Sequence, residues 1–333
     1  MKKILPLVES PITTFPCYAG PVGAILAECG EKDWLYNCFI QITSWDNQFL
    51  DFYDFTYKNC PLIEYQRIKG DLINSFDVNI VEFIANALDK GYYVVASVET
   101  KYINEYSFDG VHDLTIFGHE DRESFYTADC FKDGYFTKIK VDGETLRRAL
   151  SGINDSSLWK NHFNGTIDLY SIKKAVSFKI DLDRITESIM DYLKSAPTSR
   201  WYPQICNWDE AERQKRTFGI ECYQTLIKHL NSFGEGVELE GSIKAFHLMW
   251  QHKKFMTQRI LYMSDNKLCG ISQAIIEELK KEEKLSRKVL MLLLKNKTKP
   301  DNGIVKRVHA YIEELKKREC DNLSEIMESI KRG

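Results

Sequence analysis

The spacing of apolar residues divides the chain into a mixed front half and a helical back half. From Val22 to Cys29 almost every residue is small or apolar, and Gly30 supplies a stop. Pro16 and Pro21 fall where a helix start tolerates proline, so the pattern predicts a buried helix entered through Phe15-Pro16-Cys17. Trp34 to Tyr57 is aromatic and weakly alternating, which fits short strands or irregular segments around that helix. Val78, Val81, Phe83, Ile84, Ala87 and Leu88 mark one face of a second helix, ended by Gly91, and Tyr92 to Val98 is a β-branched and aromatic run of strand length. Three further strands follow at Val111–Gly118, Phe125–Phe131 and Tyr135–Val141, separated by turn residues, and make an antiparallel meander closed by a short helix from Gly143 to Ala149.

Beyond that point the period changes. Residues 151–166 are rich in Ser, Asn, Asp and Gly, and Ile167 to Phe178 has a strand pattern that either extends the first sheet or opens a second domain. Helical spacing then dominates at Asp183–Lys194, Gly219–Phe233, Gly241–Ser264, Ile271–Leu294, Asn302–Lys317 and Leu323–Ile330. The expected fold class is α+β, with an N-terminal domain over 1–150, a linker over 151–166 and a mainly helical domain over 167–333.

Composition narrows the functional classes. A 44% hydrophobic and 28% charged content is that of an ordinary globular protein, and a formal net charge of -3 with no arginine-rich stripe argues against nucleic acid as a partner. The apolar run Val289–Leu294 falls far short of the ~20 residues of a membrane span, so no membrane partner is expected. The opening Met1–Glu9 resembles a signal peptide only until Pro6 and Glu9 interrupt it. Nine cysteines without a CxxC pair indicate neither a zinc site nor a disulfide framework, and reduced thiols in a cytoplasmic protein are the simplest account. His247 and His252 are five residues apart and share a helical face poorly, and there is no P-loop, GxGxxG or GxSxG, so neither metal nor cofactor is expected. Glu277 to Lys284 reads as a solvated helix face.

Chemistry enters with Cys17. A thiol at a helix N-terminus sits at the positive end of the dipole among unpaired N–H groups, which favours the thiolate; Cys29, deeper in the same helix, lacks that advantage. His112 begins one predicted strand and Asp129 nearly ends the next, so antiparallel pairing brings them together. Asp129 can then hold one imidazole nitrogen while the other faces a thiol, making a Cys17, His112 and Asp129 triad. Taken singly, each has a plainer role: a small apolar residue in a turn, a surface or core histidine, a capping aspartate. Asp113 lies on the opposite strand face from His112 and is the poorer orienter, and His119, in a turn with Glu120 and Asp121, is expected to face solvent.

The segments Pro16-Cys17-Tyr18-Ala19-Gly20, Gly110-Val111-His112-Asp113-Leu114 and Thr127-Ala128-Asp129 resemble the N-terminal domain of the butirosin biosynthesis protein H group, itself similar to papain-like and C39-type cysteine peptidases. The second half, with Phe246 to Lys254, resembles helical regions of proteins from bacterial nonribosomal peptide and polyketide gene clusters. The resemblance implies a papain-like fold in which the cysteine helix packs on the antiparallel sheet. It also implies Cys17 as nucleophile, His112 as base and later acid, and Asp129 as orienter. The implied reaction is acyl transfer from the phosphopantetheinyl thioester of an acyl carrier protein, through Cys17, to an amine of an antibiotic intermediate. A cysteine peptidase or amidase with the same triad, and a non-catalytic scaffold of such a cluster, are the alternatives. Papain-like peptidases place a glutamine shortly before the cysteine, and here Ser10-Pro11-Ile12-Thr13-Thr14 has none, which leaves the second oxyanion donor unassigned.

Overall fold

The structure, a computed structural model, describes residues 2–9, 11, 13, 16–45, 49–53, 60–76, 78–131, 136–151, 166–174, 177–198, 215–234, 242–299 and 301–332, with the backbone alone at 16, 17, 70, 71, 74, 234, 242, 302 and 332. Two compact units form from interleaved segments: Met1–Glu31 with Cys60–Ser177, and Lys32–Asn59 with Phe178–Gly333. The first unit opens with β1 (Lys3–Ile4) and α1 (Pro16–Glu28), before the chain leaves it for α2 (Asp33–Tyr36), β2 (Ile42–Trp45) and β3 (Phe49–Phe52). It returns as β4 (Ile63–Lys69), α3 (Gly70–Ser75), α4 (Ile80–Asp89), β5 (Tyr93–Glu99), β6 (Val111–His119), β7 (Ser124–Cys130), β8 (Phe136–Asp142), α5 (Gly143–Ser151) and β9 (Thr166–Ile172). The second unit then continues with α6 (Leu182–Leu193), β10 (Arg216–Phe218), α7 (Tyr223–Gly234), α8 (Ser242–Asp265), α9 (Gln273–Thr298) and α10 (Asn302–Arg332). The architecture is mixed α+β, with antiparallel sheets and a helical C-terminal region.

The first unit is built on one antiparallel sheet in the order β4-β9-β5-β6-β7-β8, and β1 also pairs with β6. β5 to β8 are the expected meander. Gly118 admits β1 because a Cβ there would stand 2.5 Å from the Lys3 carbonyl oxygen. The expected domain boundary is corrected by β9, which inserts between β4 and β5 with Ile167 opposite Ala96 and Tyr170 opposite Tyr93. Its run Thr166 to Tyr170 is buried throughout, the pattern of a central strand covered on both faces, and the Tyr93 and Tyr170 rings stack at 5.0 Å. The first unit therefore runs past 150. Of the expected linker 151–166, residues 152–165 lie outside the described residues.

A second correction concerns the aromatic stretch from Trp34 onward. It packs within the helical unit rather than around the Cys17 helix. β2 pairs with β3 and with β10, Phe39 lies 4.8 Å from Phe255, and Trp34 lies 5.2 Å from Phe178. The fully buried Arg259 supplies the polar reason: its guanidinium requires acceptors inside the core and donates to the carbonyls of Tyr36, at 2.6 Å, and Cys38. The two C-terminal helices expected at Asn302–Lys317 and Leu323–Ile330 are one, α10. Residues 318–322 contain neither Gly nor Pro, and Glu319 and Asn322 are buried in line with Leu315, Leu323 and Ile326. Among the described residues no helix is long and apolar enough to cross a membrane.

Candidate functional site

The site begins with how α1 meets the sheet. Pro16 opens the helix, where its missing N–H costs nothing, as the entry through Phe15-Pro16-Cys17 predicts; Pro21, expected at the helix start, instead lies inside α1. Ala19, Val22, Ala24 and Ile25 are fully buried. Gly20 lets the helix sit directly on β6, since a Cβ there would meet Thr115 Oγ1 at 2.4 Å. Eight residues on, Glu28 Oε1 accepts from the Tyr93 hydroxyl at 3.1 Å, and Tyr93 also donates to the Pro6 carbonyl. Val94 pairs with Ile116, so passing from Thr115 to Tyr93 moves toward the far end of β6. The N-terminus of α1 therefore points back toward the sheet end where β6 begins and β7 finishes. Cys17 is the second residue of α1, and its side chain lies outside the described residues.

At that sheet end, on the face opposite to the Thr115 side that α1 covers, the structure brings together the other two expected residues, so Cys17 would have to reach His112 around the end of the sheet. Thr115 pairs with Ala128, which makes His112 and Asp129 diagonal neighbours on one face, and His112 Nδ1 stands 2.7 Å from Asp129 Oδ2. Asp129 is 3% exposed. Its Oδ1 accepts the backbone N–H of Cys130 at 2.6 Å, and its Oδ2 also accepts the hydroxyl of Tyr106. Tyr106 is a participant the sequence reading missed. Burial first, and the Asp129 charge second, push its phenol pKa far up, so it stays a donor at all ordinary pH. Tyr106 and Phe108 present their rings edge-on to His112 at 5.8 and 5.7 Å. The loop that carries them is tied down at Thr100, whose Oγ1 donates to the carbonyls of Phe108 at 2.6 Å and Gly110 at 3.1 Å.

The competing residues fall elsewhere. Asp113 faces Ser97, whose hydroxyl donates to it at 3.2 Å, and burial raises its pKa. On the same sheet face Asp168 takes Arg67 in a two-pronged ion pair at 2.7 Å and the Tyr65 hydroxyl at 3.0 Å. His119 does not face solvent: β1 covers it, it is fully buried, and its Nε2 stands 2.9 Å from Asp89, which also pairs with Arg122. Cys29 bonds the Ile25 carbonyl, and burial raises its thiol pKa.

The second unit holds its own buried polar cluster. Glu319 accepts from Tyr192 at 3.0 Å, from Tyr223 at 2.9 Å and from Lys253. His252 stacks on Tyr192 at 5.0 Å, and its Nε2 lies 2.8 Å from the Ile40 carbonyl oxygen, so Nε2 carries the proton there. Burial, then Lys253, depress its pKa and keep it neutral. Glu282, bonded by Asn322, has its pKa raised to about 7 by burial and by the Glu319 charge. Among the described residues no group of His, Cys, Asp and Glu is arranged to hold a metal ion. Comparison with protein-family models finds none that matches the chain, and no curated protein matches it.

Proposed function

We propose that the chain is a cysteine-dependent acyltransferase with a papain-like catalytic unit, in which Cys17 is the nucleophile, His112 the base and Asp129 the orienter. The observation that carries this reading is the 2.7 Å pairing of His112 Nδ1 with a buried aspartate at the sheet end toward which the N-terminus of α1 points. A nitrogen facing a carboxylate keeps its proton, so Nδ1 is the donor and Nε2 is the basic nitrogen. Nε2 takes the Cys17 proton as sulfur attacks the thioester carbonyl, and the backbone N–H of Cys17 meets the developing oxyanion. Collapse expels the donor thiol, which receives that proton from the imidazolium. An amine then attacks the Cys17 acyl group, Nε2 accepts the amine proton, and the Cys17 thiol is released. The proposed donor is the phosphopantetheinyl thioester of an acyl carrier protein, and the proposed acceptor is an amine in cytoplasmic secondary-metabolite synthesis.

Incubation with acyl thioesters followed by intact-mass measurement tests the reading. An acyl adduct on the wild type and none on Cys17→Ala is expected, with added amines converting the adduct to amide. Loss of the adduct to water regardless of amine would assign a hydrolase, and no adduct with any thioester or activated peptide would assign a scaffold.

A further inference from the structure

Charge is segregated along the helical unit in a way the net value of -3 conceals. In the first half of α9 acidic and basic residues pair off: Glu277 with Lys280, Glu278 with Lys281 and with Arg318 of α10. The stretch 284–311, which runs through the second half of α9 into α10, is different. It holds eight Lys and Arg against one acidic residue, Asp301. All eight are exposed: six between Lys284 and Lys299, and two at Lys306 and Arg307. The two helices are joined here, since Lys288 Nζ donates to the Tyr311 hydroxyl at 2.7 Å. Lys284, Arg287, Lys288 and Lys295 share one face of α9, and on that face Met291 is 56% exposed and Leu294 38%, one helical turn apart.

We propose that this face of α9 and the start of α10 is a docking surface for an acidic amphipathic helix of a partner protein. Cations at this density attract a polyanion, and the two apolar side chains narrow its kind. Nucleic acid would set Met291 and Leu294 against phosphates. A lipid surface needs a broad apolar face with aromatic anchors, and two aliphatic side chains supply little insertion. A helix with carboxylates around two apolar residues matches both features, burying Met291 and Leu294 at the centre and placing its charges against the surrounding Lys and Arg. The assignment does not depend on Cys17 chemistry.

The test uses the full chain and a synthetic helical peptide bearing glutamates around two leucines three residues apart. Binding is expected, weakening about tenfold or more between low and physiological salt. It is expected to fall at least about tenfold in Lys284→Glu/Lys295→Glu and several-fold in Met291→Ser, whose exposed positions leave melting unchanged. The assignment is overturned if the peptide does not bind, or if its Leu→Ser counterpart binds equally well. Tighter binding to phosphatidylglycerol vesicles or to duplex DNA than to the peptide would overturn it as well.

Discussion

Asp129 and Glu319 are two buried carboxylates built from similar parts, and what lies beyond each of them differs. Both accept tyrosine hydroxyls, Tyr106 in one case and Tyr192 with Tyr223 in the other, and both have a histidine close by. Beyond Asp129 stands His112, whose side chain is 17% exposed at the end of a sheet. Beyond Glu319 stand Lys253 and His252, both at most 2% exposed. A carboxylate that orients a reachable imidazole can serve proton transfer, whereas one that neutralises a fully enclosed ammonium serves packing and specificity.

Exchanging each carboxylate for its amide should separate the two roles. Asp129→Asn removes the acceptor that fixes the His112 tautomer, and acylation of Cys17 should fall by about 10²–10⁴-fold with only a small change in melting temperature. Glu319→Gln leaves the Lys253 ammonium buried without its counter-charge; stability should fall by roughly 3–5 kcal/mol while residual folded protein acylates normally. Equal loss of stability in both, with no rate effect from Asp129→Asn, would erase the distinction.

The next effect is one of pH. Glu282 faces Glu319, Lys253, Arg318 and Asn322, and its folded pKa of about 7 lies above its ordinary 4.5. The folded state therefore binds the proton more tightly, and this contribution is fully present below the unfolded pKa and is lost as pH rises through about 7. It amounts to something on the order of 3 kcal/mol. Glu282→Gln should flatten the fall in stability between pH 5 and 8 seen by denaturant titration; an unchanged slope would remove Glu282 as its source.

The smallest effect belongs to Tyr106→Phe, which deletes one donor to Asp129. A stability loss of about 1 kcal/mol and a rate loss under about tenfold are expected, with a shifted pH–rate profile marking its action through His112. A merely structural hydroxyl would leave the profile in place.

Local pattern made much of the first unit legible. The meander from β5 to β8 followed from alternation and turn residues, and that meander is what places His112 beside Asp129. Tyr106 was not legible, because its contact with Asp129 depends on how the loop after β5 folds back, and nothing in the spacing of 100–110 encodes that. β9 was ambiguous for a related reason: a short apolar run fits either unit until its partners, β4 and β5, are known. The aromatic stretch from Trp34 was misplaced because its burial is satisfied by residues more than two hundred positions later, such as Phe255 and Arg259. His119 looked like a turn residue, and its burial comes from pairing with β1, a strand of two residues.

The most direct test of the central claim is the rate at which Cys17 is alkylated by iodoacetamide as a function of pH, read by peptide mass in the wild type and in His112→Ala. If His112 activates Cys17, the wild-type thiol reacts with a midpoint well below the free value of about 8.5, and His112→Ala moves that midpoint upward toward it. Identical profiles in the two proteins would contradict the account, because His112 would then have no part in the ionisation of Cys17.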